Sequence, residues 1–282
     1  MSDVPERDGD DEREPRAMSF LAAAAWTIAL VLSMGVLVQI TEAVRPGAQN
    51  DAVNFVACKL LAYSVLLFVM VRAYAPTSPM RVALGFRSVS PMHVVLAAVA
   101  GAALAPGMAA VDDLIARRYP QSTEEVEAVA AIFATTTRVG RALLVVTLAV
   151  AIPVVQELFF RGILFGGLRR GRTLGTAMLA TAIYFATAQL SPRFFFTTFA
   201  FGLVLAWLRA QSGSVVSAMA AHVAFETVGI VPFARTGDPA ADFAYPRSWA
   251  LGGVLVGILA LVAARAIAAR DERAAAANRD DG

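Results

Sequence analysis

Three polar side chains interrupt an apolar run in the middle of the chain. The stretch "VVQELFFRGILF", residues 154 to 165, sets Gln156, Glu157 and Arg161 among hydrophobic residues that extend far enough to cross a lipid bilayer. An ionisable group at that depth costs at least ~3 kcal/mol, so it predicts a functional site. Glu157 and Arg161 are four residues apart and share one helix face, in the order that favours an ion pair. A purely structural pair that joins two helices is the alternative.

Two later apolar stretches carry polar side chains at a similar depth. "YFATAQL" includes Gln189, and "AAHVAFET" places His222 and Glu226 four residues apart on one helix face. Counted from the predicted cytoplasmic ends at ~1.5 Å per residue, these side chains and Glu157 all lie within roughly 12 to 24 Å. Such agreement predicts one internal cavity that opens toward the cytoplasm. Its expected members are Glu157, Arg161, Gln189, His222 and Glu226, with Gln156 at its wall.

The composition explains why these residues need a membrane context. Of 282 residues, 58% are hydrophobic and only 16% are charged, which excludes an ordinary water-soluble domain. A net charge of +2 provides no basic surface for nucleic acid, so we expect no nucleic-acid partner. The lipid bilayer is the expected environment.

The apolar runs predict an all-α fold, a polytopic transmembrane helix bundle with about eight spans. The membrane domain covers 18–269, and its motif-bearing core covers about 140–232. Pro153 lies within the fourth span and predicts a kink just before the polar residues. The expected spans are near 18–42, 52–74, 91–113, 142–168, 173–190, 194–210, 214–232 and 248–269.

Arginine placement predicts the orientation. Most arginines fall in segments that lie inside if the N-terminus is cytoplasmic, so both termini of this multi-pass protein are expected on the cytoplasmic side of the cell membrane. Residues 1–17 are charged and predict a disordered cytoplasmic tail, and 270–282 predict a solvated tail. The loop after the third span, which contains Glu124 and Val129, favours a short amphipathic helix on the membrane surface.

Other polar residues within or beside the spans have simpler explanations. Lys59 lies about 10 Å from the outer end of its span, close enough to extend its amine to the interface. Asp112 and Asp113 are expected to be solvated at a span end, and His93 to be structural. Cys58, the single cysteine, is expected to be a small buried hydrophobic residue.

The polar motifs resemble those of the CPBP (CAAX protease and bacteriocin-processing, also called Abi) family of intramembrane endopeptidases. That family shows Glu-Glu-x-x-x-Arg on one span, Phe-x-x-x-His on the next and His-x-x-x-Asn or Asp on a later one. The corresponding strings here are "QELFFR" at 156 to 161, "FATAQ" at 185 to 189 and "HVAFE" at 222 to 226. The likeness runs over about 140–232 and implies hydrolysis of a peptide bond near the membrane-anchored or lipidated C-terminal end of a protein or peptide substrate.

The resemblance implies roles for the residues on the fourth span. Gln156 stands where the family has the glutamate that activates water, and an amide cannot accept that proton. Glu157 and Arg161 match the pair that orients the site. Because removal of the arginine would leave a buried unpaired charge, we expect Arg161 to be the structural centre of the pair.

The later motifs also depart from the family. Gln189 replaces a histidine that assists the water, and it can position a water molecule without relaying a proton. His222 matches the histidine that holds the developing oxyanion, and Glu226 replaces the asparagine beside it. Because Glu157 is expected to be held by Arg161, Glu226 is the favoured replacement for the missing base.

The altered motifs agree with two functional classes. The first is an active endopeptidase with a rearranged acid and base, and the second is a non-catalytic relative that binds or chaperones membrane segments. The favoured mechanism requires no cofactor. Zinc is the alternative, with Glu157, His222 and Glu226 as its ligands.

Overall fold

The computed structural model describes residues 15–120, 122, 137–236 and 245–280, and over these residues the chain is all-α, as predicted. A 3₁₀ turn at Ala48–Asn50 separates the first two helices. The helices are α1 (Phe20–Val44), α2 (Ala52–Tyr74), α3 (Met80–Ala83), α4 (Pro91–Arg118), α5 (Arg138–Gly171), α6 (Leu174–Thr187), α7 (Phe195–Ser212), α8 (Val215–Gly229), α9 (Val231–Thr236) and α10 (Arg247–Asp280).

Within the described residues, five helices are long and apolar enough to cross a membrane: α1, α2, α4, α5 and the part of α10 up to Asp271. The protein is therefore a polytopic membrane protein. Three of the eight predicted spans are shorter than a full crossing of ~20 residues, because α6, α7 and α8 have 14, 18 and 15 residues. These three short helices carry or adjoin residues of the predicted polar site, and the chain turns before any of them completes a full crossing.

The predicted end segments have different outcomes. Residues 1–14 of the predicted disordered tail lie outside the described residues, as does the predicted surface helix with Glu124 and Val129. At the other end the helix does not stop near residue 269, because α10 continues to Asp280.

Both described ends of the chain lie at the same end of the bundle. The Arg16 N–H donates to the Tyr74 carbonyl at 2.7 Å, and the Met18 N–H donates to the Gly167 carbonyl at 2.8 Å. These bonds hold the N-terminal segment at the C-terminal ends of α2 and α5. Helix α10 runs antiparallel to α4, which returns the C-terminus to that end of the bundle. We call it the terminal end and the other the distal end.

Helix α5 is distorted before the polar motif and again within it. The Ile152 N–H bonds to the Thr147 carbonyl five residues back, which makes Thr147–Ala151 a π-helical turn. A second π-helical turn covers Leu158–Leu164. The predicted break before the motif thus takes the form of a π turn next to Pro153, a residue that has no N–H to continue the α-helical pattern. Such turns are frequent at functional sites.

Close packing of small residues fixes α8 against α4. A side chain at Gly101 would overlap the backbone of Ala221, so the two helices approach as closely as their main chains allow. Gly253 of α10 lies in the same way against the Ala103 carbonyl on another face of α4. Small residues at such crossings are typical of membrane helices. Since Ala221 precedes His222, this contact sets the position of the imidazole.

Candidate active site

A buried ion pair lies at the centre of the bundle. Arg161 Nη1 donates to Glu157 Oε1 at 3.0 Å, and both side chains are fully shielded from solvent. The other terminal nitrogen of the guanidinium, Nη2, donates to the Gly202 carbonyl of α7 at 2.8 Å. The guanidinium carbon also lies 4.4 Å from the centre of the Phe185 ring. Arg161 therefore joins three helices, as expected of the structural centre of the pair.

The His222 imidazole lies between two carboxylates. Its Nδ1 is 2.8 Å from Glu157 Oε1, and its Nε2 is 3.6 Å from Glu226 Oε1. The rings of Phe185 and Phe201 contact the imidazole edge to face, each with 5.6 Å between ring centres. Only 2% of the histidine side chain is exposed, whereas Glu226 is 41% exposed. The histidine thus connects the buried ion pair to a more accessible acid.

That accessible acid lines a cavity of about 480 Å³. Four predicted site residues line it: Gln156, Gln189, His222 and Glu226. The expectation that all six would do so is wrong for Glu157 and Arg161, which lie behind His222 and have no exposed surface. Helix periodicity identifies residues on one face but not which of them a second layer of side chains covers.

Gln189 reaches the cavity from a turn and not from a helix. Helix α6 ends at Thr187, two residues before Gln189, and Leu190 follows with φ of 51°. A leucine in the left-handed region is uncommon, which marks a sharp change of chain direction at this point. Gln189 therefore projects from the connection between α6 and α7.

The mouth of the cavity lies at the distal end of the bundle. Besides the polar residues, its lining includes Asp112 near the end of α4, Ser191 and Phe194 between α6 and α7, and Phe233 after α8. All of these positions lie away from the two described chain ends. The sequence predicted that the termini and the cavity mouth would both face the cytoplasm. The two predictions cannot both be correct, because the termini and the mouth lie at opposite ends of the bundle.

Sequence reasoning missed a cationic residue in the cavity. Lys59 of α2 lines the cavity, and its charge interacts with that of Glu226, so it does not simply extend to the interface as predicted. The signal was present, because ~10 Å from the outer surface of a ~30 Å hydrocarbon core is close to the depth counted for Glu226.

Asp112 and Tyr63 also belong to the cavity region. Asp112 was expected to be solvated, but it is half-buried and accepts a hydrogen bond from Thr197 Oγ1 at 2.7 Å. Gln156 lies at the cavity wall as expected, and its Nε2 donates to the Tyr63 hydroxyl at 3.3 Å. Asp113 is exposed and Cys58 is a buried free thiol, as predicted for both.

The proposed zinc ligands do not fit a metal centre. Glu157 approaches Nδ1 of His222 and Glu226 approaches Nε2, so the two carboxylates lie on opposite sides of one imidazole. A zinc ion bound by one ring nitrogen could not be reached by both. Glu157 Oε1 is also bonded to Arg161. Within the described residues, no group of three histidine, cysteine or acidic side chains is arranged to hold a metal.

Comparison with known proteins identifies the segment that carries the site. Residues 138–228 match the sequence model of the family described as type II CAAX prenyl endopeptidase, Rce1-like. The matched segment runs from the start of α5 almost to the end of α8. It contains all six predicted site residues. No curated protein and no solved structure matches the chain.

Proposed function

We propose that this chain, which belongs to the CPBP family of CAAX-type proteases through residues 138–228, is an active intramembrane endopeptidase. Its substrate would be a membrane protein or peptide, cut near a membrane-anchored or lipidated C-terminal end. Cytoplasmic termini, as the arginine pattern predicts, would place the cavity mouth on the outer side of the membrane.

One observation carries the proposal of activity despite the altered motif. Of the two acidic residues in the motifs, Glu226 lines the cavity with 41% of its side chain exposed, while Glu157 is fully buried and bonded to Arg161 and His222. A general base must reach the attacking water, and Glu226 meets that condition. Gln156 also lines the cavity but cannot serve as the base, because its amide is neutral and its Nε2 donates a hydrogen bond to the Tyr63 hydroxyl.

The geometry supports a hydrolytic cycle without a metal. Glu226 takes a proton from a water that Gln189 helps to orient, and the water oxygen attacks the peptide carbonyl carbon. Nε2–H of the His222 imidazolium donates to the oxyanion, while Nδ1–H donates to Glu157. When the C–N bond breaks, Glu226 returns its proton to the leaving amine.

The four ionised groups that the motifs contribute to this cycle are electrically balanced, and Lys59 adds a cation near Glu226. Glu157 and Glu226 carry two negative charges, and Arg161 and the His222 imidazolium carry two positive charges. Balance matters because unpaired charges are costly to bury. The buried carboxylate therefore has a supporting role: it holds the histidine in the orientation that directs Nε2 toward the cavity.

The second candidate function is a non-catalytic relative that binds membrane segments. The observation that favours it is the Gln156 amide, which occupies the position of the family's base and is bonded to Tyr63. In that case the same cavity would accept a segment of a partner protein without cleaving it.

Cleavage of tagged membrane-anchored substrates by purified protein tests the proposal. Glu226→Gln should lower the rate by roughly 10² to 10⁴, the usual contribution of a general base. Asp113→Asn is the matched control, because Asp113 is exposed and does not line the cavity. Gln156→Glu should preserve or raise the rate.

The binding function would be favoured by a different set of results. Neither the parent nor Gln156→Glu would then cleave any substrate, while the purified protein would retain a membrane protein that Glu226→Gln or His222→Gln releases. Loss of cleavage on chelation and its return with zinc would contradict the metal-free cycle.

A further inference from the structure

A second cavity lies at the terminal end of the bundle, away from the candidate active site. It has a volume of about 240 Å³, and none of its described lining residues is shared with the first cavity. The walls come from the start of α4 with the loop before it, the end of α7 and the late part of α10. The polar lining residues are Ser88, His93, Gln211, Ser212 and Asp271.

His93 in this cavity has an unexplained nitrogen. The side chain is fully buried, and its Nδ1 lies 3.0 Å from the Ser217 hydroxyl of α8. That contact agrees with the structural role predicted for His93, but Nε2 is buried and has no hydrogen-bond partner within the part of the chain that the structure describes. Buried polar atoms are nearly always paired, so an unpaired one in a cavity wall indicates that a water molecule or an ion occupies the space beside it.

A second unpaired atom lines the same cavity. Gln211 Oε1 of α7 is buried and has no hydrogen-bond partner among the described residues. Asp271 of α10 adds a carboxylate, close enough for its charge to interact with His93. An imidazole nitrogen, an amide oxygen and a carboxylate from three helices therefore line one small space.

We propose that this cavity binds a divalent transition-metal cation through His93 Nε2, the Asp271 carboxylate and Gln211 Oε1. Imidazole and oxygen ligands together suit zinc, cobalt and nickel. The Ser217 hydroxyl can accept a hydrogen bond from His93 Nδ1–H, which leaves the Nε2 lone pair free for a metal. At ~30 Å³ per water, the cavity has room for water molecules to complete the coordination.

The charges around the cavity favour this class of cation over calcium or magnesium. The hard cations prefer several carboxylate and carbonyl oxygens, and among the lining side chains that the structure describes Asp271 is the acidic one. A site of such low net charge depends on the imidazole for its affinity.

Cobalt provides a direct test, because its visible absorption bands report the ligands. Untagged full-length protein in detergent, cleared of metal, should bind one equivalent of Co²⁺ and develop absorption that Zn²⁺ removes. His93→Gln and Asp271→Asn should each weaken binding at least about tenfold, the effect of a lost ligand or ligand support. Gln211→Glu should tighten binding, because it adds a charge at an existing ligand position.

A matched pair of variants locates the metal. His222→Gln removes the only other histidine and should leave the Co²⁺ spectrum unchanged, and Asp113→Asn tests for nonspecific binding by an exposed acid. If His93→Gln does not fold, Asp271→Asn decides, because Asp271 is exposed. The proposal is overturned if excess Co²⁺ produces no saturable spectrum, or if the spectrum depends on His222 and not on Asp271.

Discussion

The two sides of the His222 ring have opposite surroundings. On the Nδ1 side, Glu157 and Arg161 are fully buried, and their hydrogen bonds join α5, α7 and α8. On the Nε2 side, Glu226 lies 3.6 Å away, is 41% exposed and lines the cavity with Gln189 and Lys59. Both sides contain a carboxylate, so residue type alone does not distinguish structural from chemical roles. Access to the cavity does.

This difference separates two requirements that a single motif has to meet. The buried side fixes the histidine, because ions without access to water depend entirely on their partners. The cavity side has room for water and for a substrate, so its groups can change protonation state and partner. Changes on the buried side should therefore affect folding first, and changes on the cavity side should affect chemistry first.

Removal of the buried cation should produce the largest loss of stability. Arg161→Ala leaves the buried Glu157 with His222 as its remaining partner and removes the bond to the Gly202 carbonyl, so we expect a loss of ~3 to 5 kcal/mol. Gln156→Ala, at the cavity wall, should cost only about 1 kcal/mol for one hydrogen bond. Thermal unfolding in detergent can be followed by thiol labelling, because Cys58 is the single cysteine and is buried.

A double variant checks that the effect comes from the pair. Glu157→Gln combined with Arg161→Ala leaves no unpaired charge, so its loss of stability should be smaller than the sum of the two single losses. Additive losses, or equal losses for Arg161→Ala and Gln156→Ala, would contradict the assignment of Arg161 as the structural centre.

A methyl group beside the guanidinium should have a smaller effect. Gly202→Ala would put a Cβ atom 3.2 Å from Arg161 Nη2 and 3.2 Å from Phe185 Cδ1, which forces both to shift. Overpacking of this kind costs ~1 to 3 kcal/mol. Gly166→Ala in α5 is the control, because no atom of the described residues lies within 4 Å of its added methyl group. A more stable Gly202→Ala variant would mean that the buried side is more loosely packed than its distances indicate.

The smallest change in stability is expected on the cavity side. Glu226→Gln keeps the shape of a partly exposed side chain, so thermal unfolding should stay within ~0.5 kcal/mol of the parent, as for most exposed substitutions. Its effect on cleavage should be large, as described above. A loss of stability comparable to that of Arg161→Ala would assign Glu226 to the buried cluster and remove the contrast between the two sides.

The sequence predicted which site residues pair within one helix, but it did not predict which pair is buried and which faces the cavity. Spacing of four residues correctly joined Glu157 to Arg161 and His222 to Glu226, because that distance is fixed within one helix. It could not predict that His222 would cover the first pair, since this depends on how α8 packs against α4 and α5. The two π-helical turns of α5 also change the helical phase, which apolar spacing does not reveal.

The depth of each residue, counted along its span, predicted which side chains share the cavity but not where the cavity opens. It brought Gln189, His222 and Glu226 to one cavity, because the rise of a helix is nearly constant. It placed Gln189 on a helix that in fact ends at Thr187. The opening was assigned to the wrong end relative to the termini, because a depth near the middle of the membrane does not say which end of the bundle is open. Only the packing of Asp112, Ser191 and Phe233 provides that information.

The close contacts of α4 can form only late in the synthesis of the chain. Its small-residue surfaces, at Gly101 and Ala103, are covered by α8 and α10, which the ribosome makes more than a hundred residues later. During synthesis these surfaces of α4 face lipid until the later helices have been made. Helices α8 and α10 can pack against α4 only after they have inserted into the bilayer themselves. A chain arrested before α10 would contain every residue of the catalytic motifs. It would still lack the helix that packs against α4, and α4 is the helix that supports α8 and His222.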